Sequence, residues 1–330
     1  MRISRHLAVS GLVLSVVYLF FLIIPGYVSG QQPEPLADTA RGIQLYQQGD
    51  ASGAIKILKE IVKKHPDDAD AWYYLGLAFN SQGLFGEARP RFERLIQLRP
   101  DSADAHAKLA YALILANETQ KAMTMGQRAL ALGVESPEAH YAIAEANLRL
   151  NSPEKAVEEA EAALMVSPDF LPALITKSLA HFSLKHYSEA AASLEKFLAS
   201  SPDNVDADAW GGQLKEMQES AEQSTTTTKP MAETTIFSGK VVTQKARVVR
   251  KPEPQYTERA RMAGVEGTVV LRAVFASDGE VKHIVITRAL GYGLTTSVIH
   301  AARQIKFQPA IKDDTPVSVY IQLEYNFNLY

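Results

Sequence analysis

The sequence predicts a multidomain chain, an all-α solenoid of helical hairpins followed by a small α+β domain. Three observations carry this. A pattern 34 residues long can be laid on itself five times between residues 35 and 204. After residue 240 the hydrophobic period changes from helical to alternating. Between the two regions, EQSTTTTKPMAETT is poor in apolar residues and rich in threonine, the composition of a flexible linker. The expected boundaries are 35–219 for five repeats with a capping helix, 220–239 for the linker and 240–330 for the C-terminal domain.

Residues 69–102 show the repeat most clearly. Trp72, Leu75, Gly76 and Phe79 fall at helical spacing in the first half, Ala88, Phe92 and Leu95 in the second, and Pro100 closes the unit. In steps of 34, the small residue of the second helix recurs as Ala54, Ala88, Ala122, Ala156 and Ala190. The small residue of the first helix recurs as Gly42, Gly76, Ala110, Ala144 and Ser178. The closing proline recurs as Pro66, Pro100, Pro168 and Pro202, with Val134 breaking the series. Residues 205–219 read as the extra helix that closes the open end of such an array, although Gly211 and Gly212 weaken it. The region resembles the tetratricopeptide family.

That resemblance implies a curved array whose first helices line a concave side. At its inward positions stand Tyr46, Tyr73, Asn80, Tyr111, Tyr141, Glu145, Arg149 and Phe182. A wall rich in tyrosine suits an extended or helical peptide, because aromatic faces give contact area at low entropic cost. The alternative is that several of these rings pack between helices as core. The lysine and asparagine pattern with which some members clamp a peptide carboxylate is not present, so a chaperone C-terminus is not the expected ligand.

At the N-terminus, Arg2, Arg5 and His6 precede an uncharged run at 7–24, then Pro25 and Gly26, and Val28, Ser29 and Gly30 ahead of Gln31. Residues 1–30 therefore read as an export segment, either a cleaved signal peptide or a retained inner-membrane anchor. Both place the rest of the chain in the periplasm or cell envelope. Cysteine is absent, which removes disulfides and thiolate chemistry. The net charge of −3 is unevenly spread. Residues 35–218 hold 25 acidic against 18 basic side chains, and residues 240–330 hold 8 against 13. The two halves either attract each other or are separately solvated.

In the C-terminal domain, GTVVLRAVF (267–275) and EVKHIVIT (280–287) alternate around the Ser277-Asp278-Gly279 turn. Val298, Ala301, Ala302 and Ile305 mark a helix over 295–306, and VSVYIQLEYNFNL is a long terminal strand. A short helix at 257–262 completes an order α-β-β-α-β. The string Pro254-x-Tyr256-x-x-x-Ala260, VEGTV at 265–269, DGEV at 278–281 and the AAxxIKFxPA block at 301–310 resemble the TonB C-terminal domain. The resemblance spans about the last 80 residues. It implies a three-stranded antiparallel sheet with helices, whose terminal strand, 317–327, accepts an outer-membrane receptor peptide by strand addition. The expected binding residues are Val317, Val319, Tyr320, Ile321, Gln322, Leu323, Glu324 and Tyr325. A long edge strand with few charges needs a cover, and the alternative occupant is the same strand of a second copy.

No HExxH, paired carboxylate, Ser/His arrangement or phosphate loop stands at a working spacing, and the acidic repeats disfavour nucleic acid. The expected function is therefore a non-enzymatic, cofactor-free envelope protein that binds proteins or peptides in support of transport, with an outer-membrane receptor and an inner-membrane motor complex as partners. The alternative is a periplasmic scaffold without energy transduction.

Overall fold

Five helical hairpins follow one another in a computed structural model, which describes residues 37–225 and 236–329. They are α1 (Ala37–Gln47) with α2 (Ala51–Lys64), α3 (Ala69–Ser81) with α4 (Phe85–Leu98), α5 (Ala103–Leu115) with α6 (Thr119–Ala131), α7 (Pro137–Arg149) with α8 (Pro153–Val166), and α9 (Leu171–Ser183) with α10 (Tyr187–Ser200). The apolar run at 7–24 lies outside the described residues.

The small residues act as the repeat requires. The five recurring alanines of the second helices are fully buried. A Cβ on Gly42 would stand 2.6 Å from Leu58 Cδ2, and one on Gly76 2.7 Å from Phe92 Cε1. Where serine replaces glycine, its hydroxyl is spent inside the hairpin, Ser178 donating to the Ala190 carbonyl at 2.8 Å. Each hairpin turns through a left-handed residue that keeps the same 34-residue step: Gly49, Gly83, Asn117, Asn151 and Lys185, with φ of 84°, 71°, 59°, 60° and 63°. Glycine and asparagine tolerate this conformation and close the first helix by satisfying its last carbonyls.

Helix α11 (Ala207–Thr225) packs on α10 and buries Trp210, Gln213 and Met217. It continues five residues past 220, where the sequence suggested a linker.

The C-terminal elements are β1 (Ile236–Phe237), β2 (Arg247–Arg250), α12 (Glu258–Ala263), β3 (Gly267–Phe275), β4 (Val281–Arg288), α13 (Leu294–Arg303), β5 (Lys306–Gln308), β6 (Ala310–Lys312) and β7 (Thr315–Phe327). Antiparallel β7, β3 and β4 are the sheet expected from the sequence. Two further strands join it, β1 parallel to β7 and β6 antiparallel to β7, while β2 and β5 form a separate ribbon. Gly279, at φ 87°, makes the β3–β4 turn, and Asp313 and Asp314, both at positive φ, make the β6–β7 turn. Thr257 caps α12, accepting from the Ala260 N–H, and donates to the Tyr292 carbonyl at 2.7 Å.

The two halves share one core and dock along the row of turns inside the repeats. Buried Asp206 caps α13 from the other domain: its carboxylate accepts from the Gly293 N–H at 2.9 Å, the Thr296 N–H at 3.0 Å and the Thr296 hydroxyl at 2.7 Å. The Gln213 amide accepts from Ile286 N–H at 2.8 Å and donates to Ile286 O at 3.4 Å, as a neighbouring strand would. The Glu266 N–H donates to the Leu115 carbonyl at 2.8 Å, and Arg288 to the Arg149 carbonyl at 3.4 Å. These carbonyls end α5 and α7, where unpaired acceptors and the negative end of the helix dipole draw donors from a basic domain. Gly264 approaches Gly86 so closely that a Cβ would lie 3.0 Å from the Gly86 Cα. Among the described residues the ion pair that crosses the joint is His283 with Glu216 at 3.3 Å. The joint thus rests on helix ends and main-chain groups more than on ion pairs.

Two outcomes follow from this packing. Asp206→Ala strips the cap from α13 and leaves buried donors unpaired, so it should cost about 2–3 kcal/mol, read as a lower melting temperature and an earlier red shift of Trp210 fluorescence in urea. His140 lies between Glu159 (2.8 Å) and Glu135 (3.1 Å). The Glu159 hydrogen bond, followed by that to Glu135, raises its pKa above 6.5. Because the folded value is raised, the stabilisation is full below about pH 6.5 and lost as pH rises through the folded value. His140→Gln should therefore lower the melting temperature at pH 5.5 and change it little at pH 9.

Candidate functional site

Strand parity decides which backbone groups of β7 are available. Along an antiparallel strand the N–H and C=O of one residue point to the same side, and successive residues alternate sides. Ile286 directs both groups away from β3, into Gln213. Its partner Leu271 therefore points toward β7, where it pairs with Leu323. The odd residues of β7 bond β3, and Tyr320, Gln322, Glu324 and Asn326 direct their groups outward. The Lys251 ammonium reaches the Glu324 carbonyl at 2.7 Å from that outer side, which gives the same parity.

The side chains alternate as well. Val319, Leu323, Tyr325 and Phe327 are buried, and Tyr320, Gln322, Glu324 and Asn326 are exposed. Of the residues expected to bind a partner, Val319, Leu323 and Tyr325 belong to the core and offer no side chain to a ligand. What the edge presents is main chain, with Tyr320, Gln322 and Glu324 flanking it.

The open length is shorter than 317–327. Ser318 and Val319 pair with Ile236 and Phe237 of β1. Beyond residue 319 a strap at 251–256 runs beside the edge. Lys251 also sits 4.1 Å from the centre of the Tyr325 ring, and the Tyr256 ring packs edge-on against Phe327 at 5.4 Å. Pro252 and Pro254 carry no N–H, so the strap covers the edge without completing a ladder. A trough of about 500 Å³ lies between it and residues 324–328. On the β4 edge, by contrast, Gln213 occupies both main-chain groups of Ile286.

The repeat wall divides in two. Tyr46, Tyr73 and Asn80 stand in the first two hairpins. Tyr74 meets Tyr46 and Tyr73 edge-on at 5.8 and 5.2 Å, and the Tyr73 hydroxyl donates to Asp104 at 2.8 Å. Burial, with the Asp104 charge second, pushes that hydroxyl pKa up. Among the described residues the buried Asn80 Oδ1 has no hydrogen-bond partner. Farther along, the C-terminal domain closes over the wall. Tyr111, Tyr141, Glu145 and Arg149 line a cleft whose opposite side carries Val265, Leu290 and Tyr292. Phe182 is buried against Tyr187 in the shared core, so it is no groove residue. Arg149 is held by Glu145 at 2.9 Å and the Ile114 carbonyl at 3.0 Å. Asp206, Gln213 and Lys251, which build the joint and the edge, escaped the sequence reading. Asp206 and Gln213 belong to a capping segment, and no local pattern points them at a sheet about 70–90 residues away.

Residues 252–329 match the family described as the Gram-negative bacterial TonB protein C-terminal. Residues 39–90, 79–146, 137–170 and 171–204 match tetratricopeptide-repeat families. Comparison with curated proteins gives no match. Among solved structures, MamA protein is similar at 26% identity and a TM-score of 0.41, covering 50% of this chain and 92% of that one. PilW, a type IV pilus biogenesis factor, is similar at 16% and 0.46, covering 56% and 86%. YrrB, a repeat protein with an unusual peptide-binding site, is similar at 16% and 0.39, covering 51% and 87%. The repeat and TonB C-terminal families are protein-interaction domains, the latter of the Gram-negative envelope. Among the described residues no helix is long and apolar enough to cross a membrane. The chain is a tetratricopeptide-repeat protein that carries a TonB-family C-terminal domain.

Proposed function

We propose that this envelope protein binds an extended segment of an outer-membrane receptor, or of another periplasmic partner, as an added strand on β7 at 320–326. The observation that carries the reading is the asymmetry of the sheet. Gln213 occupies one edge at Ile286, while the other keeps outward main-chain groups at Tyr320, Gln322, Glu324 and Asn326 beside a trough bounded by a strap that cannot pair. Main-chain hydrogen bonds then give affinity, and side chains of the exposed face give selectivity. The wall around Tyr46, Tyr73 and Asn80 recruits a second protein.

Docking of the β-domain on the repeats favours the other reading, a scaffold that presents the edge in a fixed position without transmitting energy. The intact mass of the mature protein separates the two. A chain beginning at Gln31 has no inner-membrane anchor through which a motor complex acts, and a chain that keeps residues 7–24 does.

Parity supplies the test of the edge. Gln322→Pro removes an outward N–H and leaves the β3 ladder intact, so the fold should survive with its melting temperature within a few degrees. Leu323→Pro removes a ladder bond and should unfold the domain, a loss of about 3 kcal/mol or more. A photocrosslinker at Tyr320 should capture an envelope partner in the parent chain and lose it, at least tenfold, in Gln322→Pro. Undiminished capture by folded Gln322→Pro would remove the edge from the mechanism.

A further inference from the structure

The cleft between the repeat wall and the C-terminal domain has a volume of about 650 Å³, within the range of small-molecule sites. Its walls are largely apolar, with Leu171, Ile175, Leu179, Met262, Val265 and Leu290 among them. The charged groups deep inside are already spent, and the two others that line it, Asp203 and Arg259, are exposed. Glu145 accepts from Arg149 and Thr176, both at 2.9 Å, and Asp206 is committed to α13. The hydroxyl of Tyr141 is not. Tyr141 is 8% exposed, its ring lies between Tyr111 (5.5 Å) and Phe170 (5.8 Å), and among the described residues its hydroxyl has no hydrogen-bond partner.

We propose that this cleft binds a neutral, mainly apolar small molecule with a single hydroxyl or carbonyl group, an aliphatic or aromatic alcohol being the simplest case, which exchanges a hydrogen bond with Tyr141. The chemistry of the walls selects neutrality. Past the exposed Asp203 and Arg259, an anion deep in the cleft would meet Glu145 and Asp206, a cation would meet Arg149, and each would be stripped of water without an unspent counter-charge. Burial, with Glu145 second, pushes the Tyr141 hydroxyl pKa up, so it stays protonated and can donate or accept. Since the cleft is walled by both domains, its occupant stabilises the docked arrangement.

The test uses the purified full chain and N-phenyl-1-naphthylamine, a neutral dye that brightens on leaving water. Saturable binding with one site is expected, displaced by 1-decanol at least tenfold more effectively than by decanoate. Ile175→Trp fills the cleft and should abolish this signal, and the difference from the parent chain isolates the cleft from other apolar segments. Met262→Trp, at a position 53% exposed on the rim, tests the same point without touching the core and should weaken dye binding. Tyr141→Phe loses no hydrogen bond within the protein, and it should weaken decanol displacement about three- to tenfold, the scale of one neutral hydrogen bond. Absence of saturable binding, dye binding unchanged in Met262→Trp and in folded Ile175→Trp, or equal displacement by decanoate would each overturn the proposal.

Discussion

The side-chain amide of Gln213 on the main chain of Ile286 is the contact from which the rest of the arrangement follows. A sheet of few strands has two edges, and each exposes groups that water, a partner or another strand must satisfy. Bonding Ile286 as a strand residue would, Gln213 occupies the β4 edge at that point and ties the sheet to the helix that ends the repeats. The direction of every backbone group in β3 and β7 is then fixed by alternation. Asp206, seven residues earlier on the same segment, fixes α13 through its N-terminus, so one short stretch positions both layers of the C-terminal domain.

The repeats were legible because each is specified locally. The small residues at 42, 76, 110, 144 and 178 and the alanines at 54, 88, 122, 156 and 190 work within their own hairpin, where a one-dimensional pattern suffices. The left-handed series at 49, 83, 117, 151 and 185 was equally present in the letters and went unread, because its chemistry changes from glycine to asparagine to lysine while its geometry does not. In the C-terminal domain the alternation of β3, β4 and β7 gave strands and faces together.

What the sequence concealed is where distant segments meet. Ile236 and Phe237 lie at the end of a threonine-rich stretch and look like linker, yet they take two positions of the edge that β7 alone presents as free. Phe182 and Tyr141 stand at inward positions of the repeat, yet both are buried, Phe182 in the core shared with the second domain and Tyr141 between Tyr111 and Phe170 at the wall of the cleft. The imbalance of charge between the halves left attraction and independence equally open. In the structure the halves meet at helix carbonyls, which no count of ionisable residues includes.

The docking along the intra-repeat turns changes how the array comes apart. A solenoid with nearest-neighbour contacts alone unravels from its ends, one unit at a time. Here a single rigid body touches Gly86 in the second unit, Leu115 in the third, Arg149 in the fourth and Gln213 in the cap. Those units are cross-braced, and losing one removes contacts that hold the others. Fraying is then confined to the first hairpin, and everything from the second hairpin to the last strand melts as one cooperative block.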